Sequence, residues 1–481
     1  MISERWRGEG RPGARLFPRW LCLLLLSMMV GPTPARAELT LAQAVNHALA
    51  HNHNVAAKEH ALAAAIWAQR QARSQLFPSL SLQSSYTRLD DETVQRANAF
   101  GRELTLFFPD GGGGFEPVTI EIPQTVFRDG YETQLTAQML LFNPQVWNGV
   151  ALAGASKEVA SWQEIVTRQE TAHQTLRAFV ELLKSGSLLE IQKQHLDQAR
   201  QNSALAQRLF DVGRYSEADI LRWRVEEARQ QGELTLQRSN RRVTAMGLEN
   251  LLGETPTGTV SPADQLPSLL EAQIERFRQL SEVDWLTFAE IPVAQIVAGN
   301  PALQLLAGAE DLVGIEHRRS KTNYLPSVAL NGSYGWMNND TVDLDGERTW
   351  SASVVLSLPI FTSFSNYSTL KLTRHQMEKT REENEEVRRS LYLSAEVART
   401  GLHSNSELLR LAETSLESAR RNHEIQRNQY TLGRLTNLEW LDANLALQGA
   451  EQVYSSAYFD LVLAIADYFQ ARGEILELLV Q

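Results

Sequence analysis

Two stretches of more than a hundred residues each, 145–255 and 360–481, contain no proline. Apolar residues recur along both at helical spacing. Each is interrupted by one short glycine-bearing break, FDVGRYSEADILR at 210–222 and YTLGRLTNLEWLD at 430–442. Helices over about 146–209 and 364–429 would each run roughly 95–100 Å at 1.5 Å per residue. Rods of that length cannot fold back into a compact globule. A seven-residue period runs along both, through Leu182, Leu189, Leu196, Ser203 and Phe210 in the first and Leu402, Leu409, Leu416, His423 and Tyr430 in the second. Ala199 and Ala206, and Ala412 and Ala419, supply the small positions between them. Leucine facing small residues at heptad spacing packs helices side by side over long distances. The helix after each break must therefore run back along the one before it. Gly213 and Gly433 are the predicted reversal points, since glycine takes the left-handed conformation that ends a helix without steric cost.

The chain is written twice. HNHNVAA (51–57) is echoed by AGNPALQ (298–304), LFPSLSL (76–82) by YLPSVAL (324–330), LLFNP (140–144) by LPIFT (358–362), and FDVGR (210–214) by YTLGR (430–434). The offset is about 247 for the first two pairs and about 219 for the last two. The first copy thus carries about 29 extra residues, including GGGG at 111–114, a surface-loop signature. The predicted division is repeat one at 38–253, an equatorial linker at 254–295 with prolines at 256, 262 and 267 in its first half, and repeat two at 296–481.

Each repeat changes period before its long helices. In TQLTAQML (133–140), Leu135, Ala137 and Met139 alternate with polar residues. In SASVVLSL (351–358), Ala352, Val354, Leu356 and Leu358 do the same. SVALNGSYGW (327–336) places Val328, Leu330, Tyr334 and Trp336 on one face, and SLSLQSSY (79–86) alternates more weakly. Strands are predicted at about 79–88, 131–141, 326–337 and 349–360, close to the length that crosses an outer membrane when tilted. Tyr86, Tyr131, Tyr334, Trp336 and Trp350 lie near strand ends, where interfacial girdles sit. The same alternation also suits a half-buried soluble hairpin in each half. Four strands cannot close a barrel, and an open sheet in lipid leaves edges unpaired. Membrane strands here would have to be pooled between copies.

The N-terminus predicts export. Arg5, Arg7, Arg11, Arg15 and Arg19 precede the apolar run WLCLLLLSMMV (20–30), and Ala35 and Ala37 take the small positions of a cleavage site. Residues 1–37 read as a secretory signal peptide, with a signal anchor as the alternative. Without them, 40 basic residues face 55 acidic ones, a net of −15. That balance disfavours nucleic acid as a partner, because phosphate contacts need Lys and Arg. Cys22, the only cysteine, falls inside the signal, so no disulfide or thiol chemistry is expected, and RWL before it does not suit a lipid anchor. No later run of about 18 apolar residues occurs; LVLAIA (461–466) is ended by Asp467.

Taken in order, the duplicated strand segments LFPSLSL and YLPSVAL, the duplicated tips FDVGRYSEADIL and YTLGRLTNLEWLD, and the start at Asn300-Pro301 give a chain that resembles the TolC-type outer-membrane efflux proteins over essentially its whole mature length. The resemblance implies a mainly α fold with membrane β. It implies a homotrimer whose 12-stranded outer-membrane β-barrel continues into a long periplasmic α-helical barrel. It implies an exit duct docked to a periplasmic adaptor and an inner-membrane transporter of the RND, ABC or MFS type, with outer-membrane lipid around the barrel.

The tips carry the implied sites. Glu439 and Asp442 match acids that ring the family's periplasmic mouth. Being i and i+3, they share a helix face, and three copies around one axis would favour cations and raise some of their pKa values. A solvated helix face is the plain alternative. Tyr430 and Asp219 match the partners of a gate latch, so a direct Tyr430–Asp219 hydrogen bond is predicted. The family's second latch falls on Leu435 and Ala218, which cannot form it, with Arg434 one residue away as a substitute. Gly213, Arg214, Gly433 and Arg434 match the adaptor-contact tips; helix capping by Gly, with Arg complementing the helix dipole, accounts for the same residues.

No chemistry of bond making stands out. His51 and His53 lack a third metal ligand, GGGG lacks the Lys-Ser/Thr of a phosphate loop, and no nucleophile or carboxylate set occurs at catalytic spacing. The sequence predicts neither enzyme nor cofactor. A type I protein-secretion duct and a non-porous periplasmic coiled-coil scaffold are the alternatives to drug, metal or solvent efflux.

Overall fold

The computed structural model describes residues 38–98, 103–109, 111–112, 114–121, 126–263, 265–339, 346–432 and 434–479. The expected signal segment 1–37 and the tip residue Gly433 lie outside them. Repeat one contains helices α1 (Leu41–His51) and α2 (His53–Ser74), strand β1 (Ser79–Arg88), a short helix α3 (Asp91–Ala97), strands β2 (Glu103–Pro109), β3 (Phe115–Glu121) and β4 (Asp129–Phe142), and the long helices α4 (Pro144–Asp211) and α5 (Glu217–Leu251). Helices α6 (Ser268–Arg278), α7 (Glu282–Ala289) and α8 (Val293–Ile296) follow. Repeat two contains α9 (Pro301–Lys321), β5 (Ser327–Asn338), β6 (Glu347–Ser357), α10 (Ser365–Thr431), α11 (Asn437–Arg472) and the short α12 (Ile475–Leu479).

Helices α4 and α10 have 68 and 67 residues, roughly 100 Å each. Helix α4 starts as α9 does. Asn143 and Asn300 accept from the backbone N–H two residues on, and Pro144 and Pro301 occupy the first helical position, where a missing N–H costs nothing. Among the described residues no helix is long and apolar enough to cross a membrane.

The strands form one antiparallel sheet in the order β1-β4-β5-β6, so the two repeats meet at the central β4–β5 pair. That pair runs from Tyr131 opposite Asn338 to Phe142 opposite Val328, with an irregularity at Leu140/Phe142. Tyr86 packs on Tyr131 at 4.8 Å between ring centres, and Tyr334 on Trp336 at 4.7 Å. Every residue of the edge strands β1 and β6 is exposed. Leu80, Leu82, Val354 and Leu356 are 65–70% exposed, which is tolerable only if something apolar covers them.

Two regions expected to be plain connections are folded. The insertion around GGGG holds an antiparallel pair, β2 with β3, in which Leu106 faces Val118 and Thr105 faces Thr119. The linker wraps the waist of the molecule: Leu270, Ile274 and Phe277 sit at helical spacing on one apolar face of α6, and Phe277 stacks near Trp285 of α7, both buried. The core is there, with Leu41, Leu176, Phe179, Leu182, Leu248, Leu402, Leu461 and Ile465 fully buried.

The linker's entry is pinned by Glu249, itself fully buried. Its carboxylate accepts from the backbone N–H groups of Thr257, Gly258, Thr259 and Val260 and from the Thr257 hydroxyl. Burial alone would raise its pKa, but the N–H groups of Gly258, Thr259 and Thr257 outweigh it and hold the group at about 2 against an ordinary 4.5.

Candidate functional site: the helical tips

Both tips are built from the same local parts. Helix α4 ends where Gly213 takes φ +74°, with Gly213 N–H bonded to Phe210 O and Arg214 N–H to Leu209 O, both at 2.8 Å. This is the two-bond closure that a left-handed residue permits. The matching bond in repeat two runs from Arg434 N–H to Gln429 O at 3.0 Å. A Cβ on Gly213 would meet nothing within 4 Å, so any cost of replacing it comes from backbone conformation alone. Gly213→Val is accordingly expected to lose about 1–2 kcal/mol of local stability. Hydrogen exchange should read this as faster exchange of the Gly213 and Arg214 amides with the waist unchanged.

The returning helices start with reciprocal caps. The Ser216 N–H and hydroxyl bond to Asp219 Oδ2 at 3.0 and 2.7 Å. The Thr436 N–H and hydroxyl bond to Glu439 Oε2 at 2.9 and 2.6 Å. Asp219 and Glu439 are thus the same position in the two repeats, the third residue of a capping box. The pattern was present in the sequence as Ser216-x-x-Asp219 and Thr436-x-x-Glu439.

Within the chain the Thr436 hydroxyl, then its N–H, hold the Glu439 carboxyl below its usual range; the rise expected from crowding belongs to three copies around one axis. Glu439 and Asp442 are both exposed on α11, and Asp442 makes no hydrogen bond or ion pair among the described residues. One expectation is corrected: the direct Tyr430–Asp219 bond is not formed. Asp219 is committed to Ser216, with Arg222 at 3.7 Å. Asn437 stands between the two: the Tyr430 hydroxyl donates to Asn437 Oδ1 at 2.7 Å, and the Asn437 amide lies beside Asp219. The Ser216 hydroxyl is the main reason the Asp219 carboxyl sits below its ordinary range, with Asn437 and Arg222 adding to it.

The two hairpins meet at this point. The Tyr215 hydroxyl, from the first tip, donates to that of Tyr430. Trp223 Nε1 of α5 reaches Asn437 Oδ1 at 3.5 Å, and Trp440 Nε1 of α11 reaches Asn202 Oδ1 of α4 at 3.4 Å. Trp223, Trp440, Ala206 and Ala443 are buried together, with Tyr430 stacked on Trp440 at 5.3 Å. Burial first, and the Tyr215 hydroxyl second, push the Tyr430 phenol up, so it stays a donor at all working pH. Leu435 packs into the same cluster, while Gly213, Arg214 and Arg434 are exposed at the extreme end.

An open four-stranded sheet with bare edges, joined to two helical hairpins about 100 Å long, defines a protein of the channel-duct class. The profile described as "Outer membrane efflux protein" matches residues 44–254 and 293–467, and the chain belongs to that family. It is 25% identical over 344 residues to the alkaline protease secretion protein AprF of Pseudomonas aeruginosa, covering 70% of this chain and 68% of that one. It is 23% identical over 381 residues to outer membrane protein TolC of Vibrio cholerae, covering 76% and 85%. The fold matches the CmeC outer membrane channel of Campylobacter jejuni with TM-score 0.73 at 16% identity, over 90% of this chain and 86% of that one. The protein is therefore an outer-membrane efflux channel of a non-enzymatic family that extends into the periplasm.

Proposed function

We propose that the protein is the exit duct of a tripartite efflux system, passively conducting what an inner-membrane pump expels through a periplasmic adaptor. The observation that carries this is the pair of apolar, unpaired edge strands β1 and β6. Three copies joined edge to edge pool four strands each into a closed 12-stranded barrel, which lipid requires. The hairpins α4–α5 and α10–α11 then form a periplasmic tunnel. At its mouth Glu439 and Asp442 of three copies form a constriction that favours cations. Tyr430 and Asp219 act as the gate latch through Asn437, and Gly213, Arg214, Gly433 and Arg434 meet the adaptor. Similarity to AprF, whose name specifies protease secretion, supports a second reading, the outer-membrane duct of a type I protein secretion system.

Conductance of the purified protein in a planar bilayer tests the duct. Small cation-selective currents are expected, and Glu439→Gln with Asp442→Asn should lower the cation-over-anion preference several-fold. Currents indifferent to the double change would move the constriction elsewhere. No current from inserted protein, even with Tyr430 changed, would favour a non-porous scaffold.

A further inference from the structure

The two faces of the sheet are unlike. Directly opposed residues such as Leu82, Leu135, Tyr334 and Trp350 are apolar on one face, and Ser81, Thr136, Ser333 and Ser351 are polar on the other. In a membrane barrel the apolar face meets lipid. That face runs on past the helix-side end of the strands. Leu358 and Ile360 follow Val354 and Leu356 at the strand period and are 52% and 92% exposed. Ser363 and Phe364 then take φ +50° and +65°, left-handed values that a residue with a side chain adopts at a cost. The corner sets Phe364 edge-on to Phe361 at 5.6 Å, with both rings exposed. Phe77 is exposed just before β1, and Tyr324 just before β5. Nine residues separate Phe77 from Tyr86, roughly 30 Å along a strand, or about 23 Å of height at a tilt of about 40°. These rings mark the second edge of an apolar band of membrane height, opposite Tyr86 and Trp350.

Beside the rings the charge changes sign. The stretches 68–78, 317–326 and 358–377 end α2, end α9 and open α10 next to the sheet, and they hold seven Lys and Arg and no Asp or Glu. Over residues 38–481 as a whole, 55 acids outnumber 40 basic residues. Arg70, Arg73, Arg318, Arg319, Lys321 and Lys371 are exposed and form no ion pair among the described residues, while Arg374 is taken by Glu378 at 2.9 Å. Arg70 lies over the Trp67 ring at 4.4 Å and Lys371 over that of Tyr367 at 5.6 Å, cations resting on aromatics as they do at a membrane interface. At the far end of the sheet arginines are paired, Arg88 with Asp129 at 3.9 Å and Arg128 with Asp91 at 3.3 Å. Unpaired cations gathered along one edge of a lipid-facing band call for an anionic partner in that lipid.

We propose that the foot of the sheet is a lipid-binding collar: Ile360, Phe361 and Phe364 sit among the acyl chains of the periplasmic leaflet, and Arg70, Arg73, Arg318, Arg319, Lys321 and Lys371 bind the phosphates of anionic phospholipids there. It rests on the outer-membrane placement of the family, with the helices on the periplasmic side, and not on conduction. Each guanidinium offers a planar fork to phosphate oxygens, and each ammonium a compact charge. Glu316 and Glu378, the first acids beyond the collar on α9 and α10, mark where headgroups give way to water.

Spin-labelled lipids test this. In protein reconstituted into phosphatidylcholine bilayers, the motionally restricted fraction of spin-labelled phosphatidylglycerol, set against that of spin-labelled phosphatidylcholine, gives the lipid preference. The parent is expected to prefer phosphatidylglycerol several-fold, less so as salt rises from about 0.05 to about 1 M. Arg318→Gln/Arg319→Gln/Lys321→Gln should at least halve the preference, and adding Arg70→Gln/Arg73→Gln should bring it near unity. Arg381→Gln/Arg389→Gln/Arg421→Gln removes the same charge from exposed positions further along α10 and should leave it unchanged. No preference in the parent, as when a neighbouring copy covers the collar, would overturn the proposal. So would a preference that survives all five changes or falls equally in the α10 control. If the five-residue variant does not insert, the triple variant alone decides. Lipid contact is read whether or not the protein conducts, so an absence of current would count against the duct reading alone.

Discussion

Glu249→Gln is expected to destabilise the protein by at least about 1–3 kcal/mol, the cost of each buried donor left without its charged acceptor. Four backbone N–H groups and a hydroxyl converge on that carboxylate. An amide offers one acceptor oxygen and turns an NH2 toward donors. The loss should appear as a lower midpoint in thermal or denaturant unfolding, with the region from Thr257 to Val260 exchanging first. The same carboxylate gives stability an acid limb. Its pKa is depressed on folding, from 4.5 to about 2. Its contribution is therefore complete above about pH 4.5 and lost as pH falls toward 2, a difference of about 3 kcal/mol. In the Gln variant that limb should flatten. An unchanged midpoint and an unchanged acid limb would show that the linker is held by its apolar contacts alone.

Asn437→Leu is expected to raise single-channel conductance about tenfold, with Tyr430→Phe giving a smaller rise in the same direction. The leucine fills a similar volume but leaves the Tyr430 hydroxyl without its acceptor and removes the bond from Trp223 Nε1. Buried polar groups left unpaired cost about 1–3 kcal/mol each, and hydrating them requires the hairpins to part. Planar-bilayer conductance and uptake of a large, normally excluded antibiotic read the effect. If both stay at the parent level while the protein assembles normally, the tip network is a packing feature and the gate lies elsewhere.

The long helices were legible because two independent signals agreed, the absence of proline and a sustained heptad. Helices expected over about 146–209 and 364–429 occupy Pro144–Asp211 and Ser365–Thr431. The four sheet strands were legible from alternation, including Leu135, Ala137 and Met139. The β2–β3 pair was missed because GGGG outweighed a short alternating run through Leu104, Leu106 and Phe108. The α6 face was not legible because three prolines directly precede it and Leu270, Ile274 and Phe277 span only two turns of an 11-residue helix. At the tips, position was readable and partnership was not. Tyr430 and Asp219 do sit near one another, but Ser216 claims Asp219 through a local cap, and Asn437 intervenes. Contacts such as Tyr215 to Tyr430 join residues 215 apart in sequence, so no local pattern announces them.

The waist holds a far larger buried cluster than the tips, and that has a mechanical consequence. The core around Leu182 is packed by three short helices, whereas Gly213 lies 31 residues further on, just past the end of an uninterrupted rod. That is a lever arm of roughly 46 Å. A tilt of about 10° at the fulcrum, small enough for packed side chains to absorb, sweeps the end through roughly 8 Å. Substitutions that soften the waist should therefore widen the mouth without touching it.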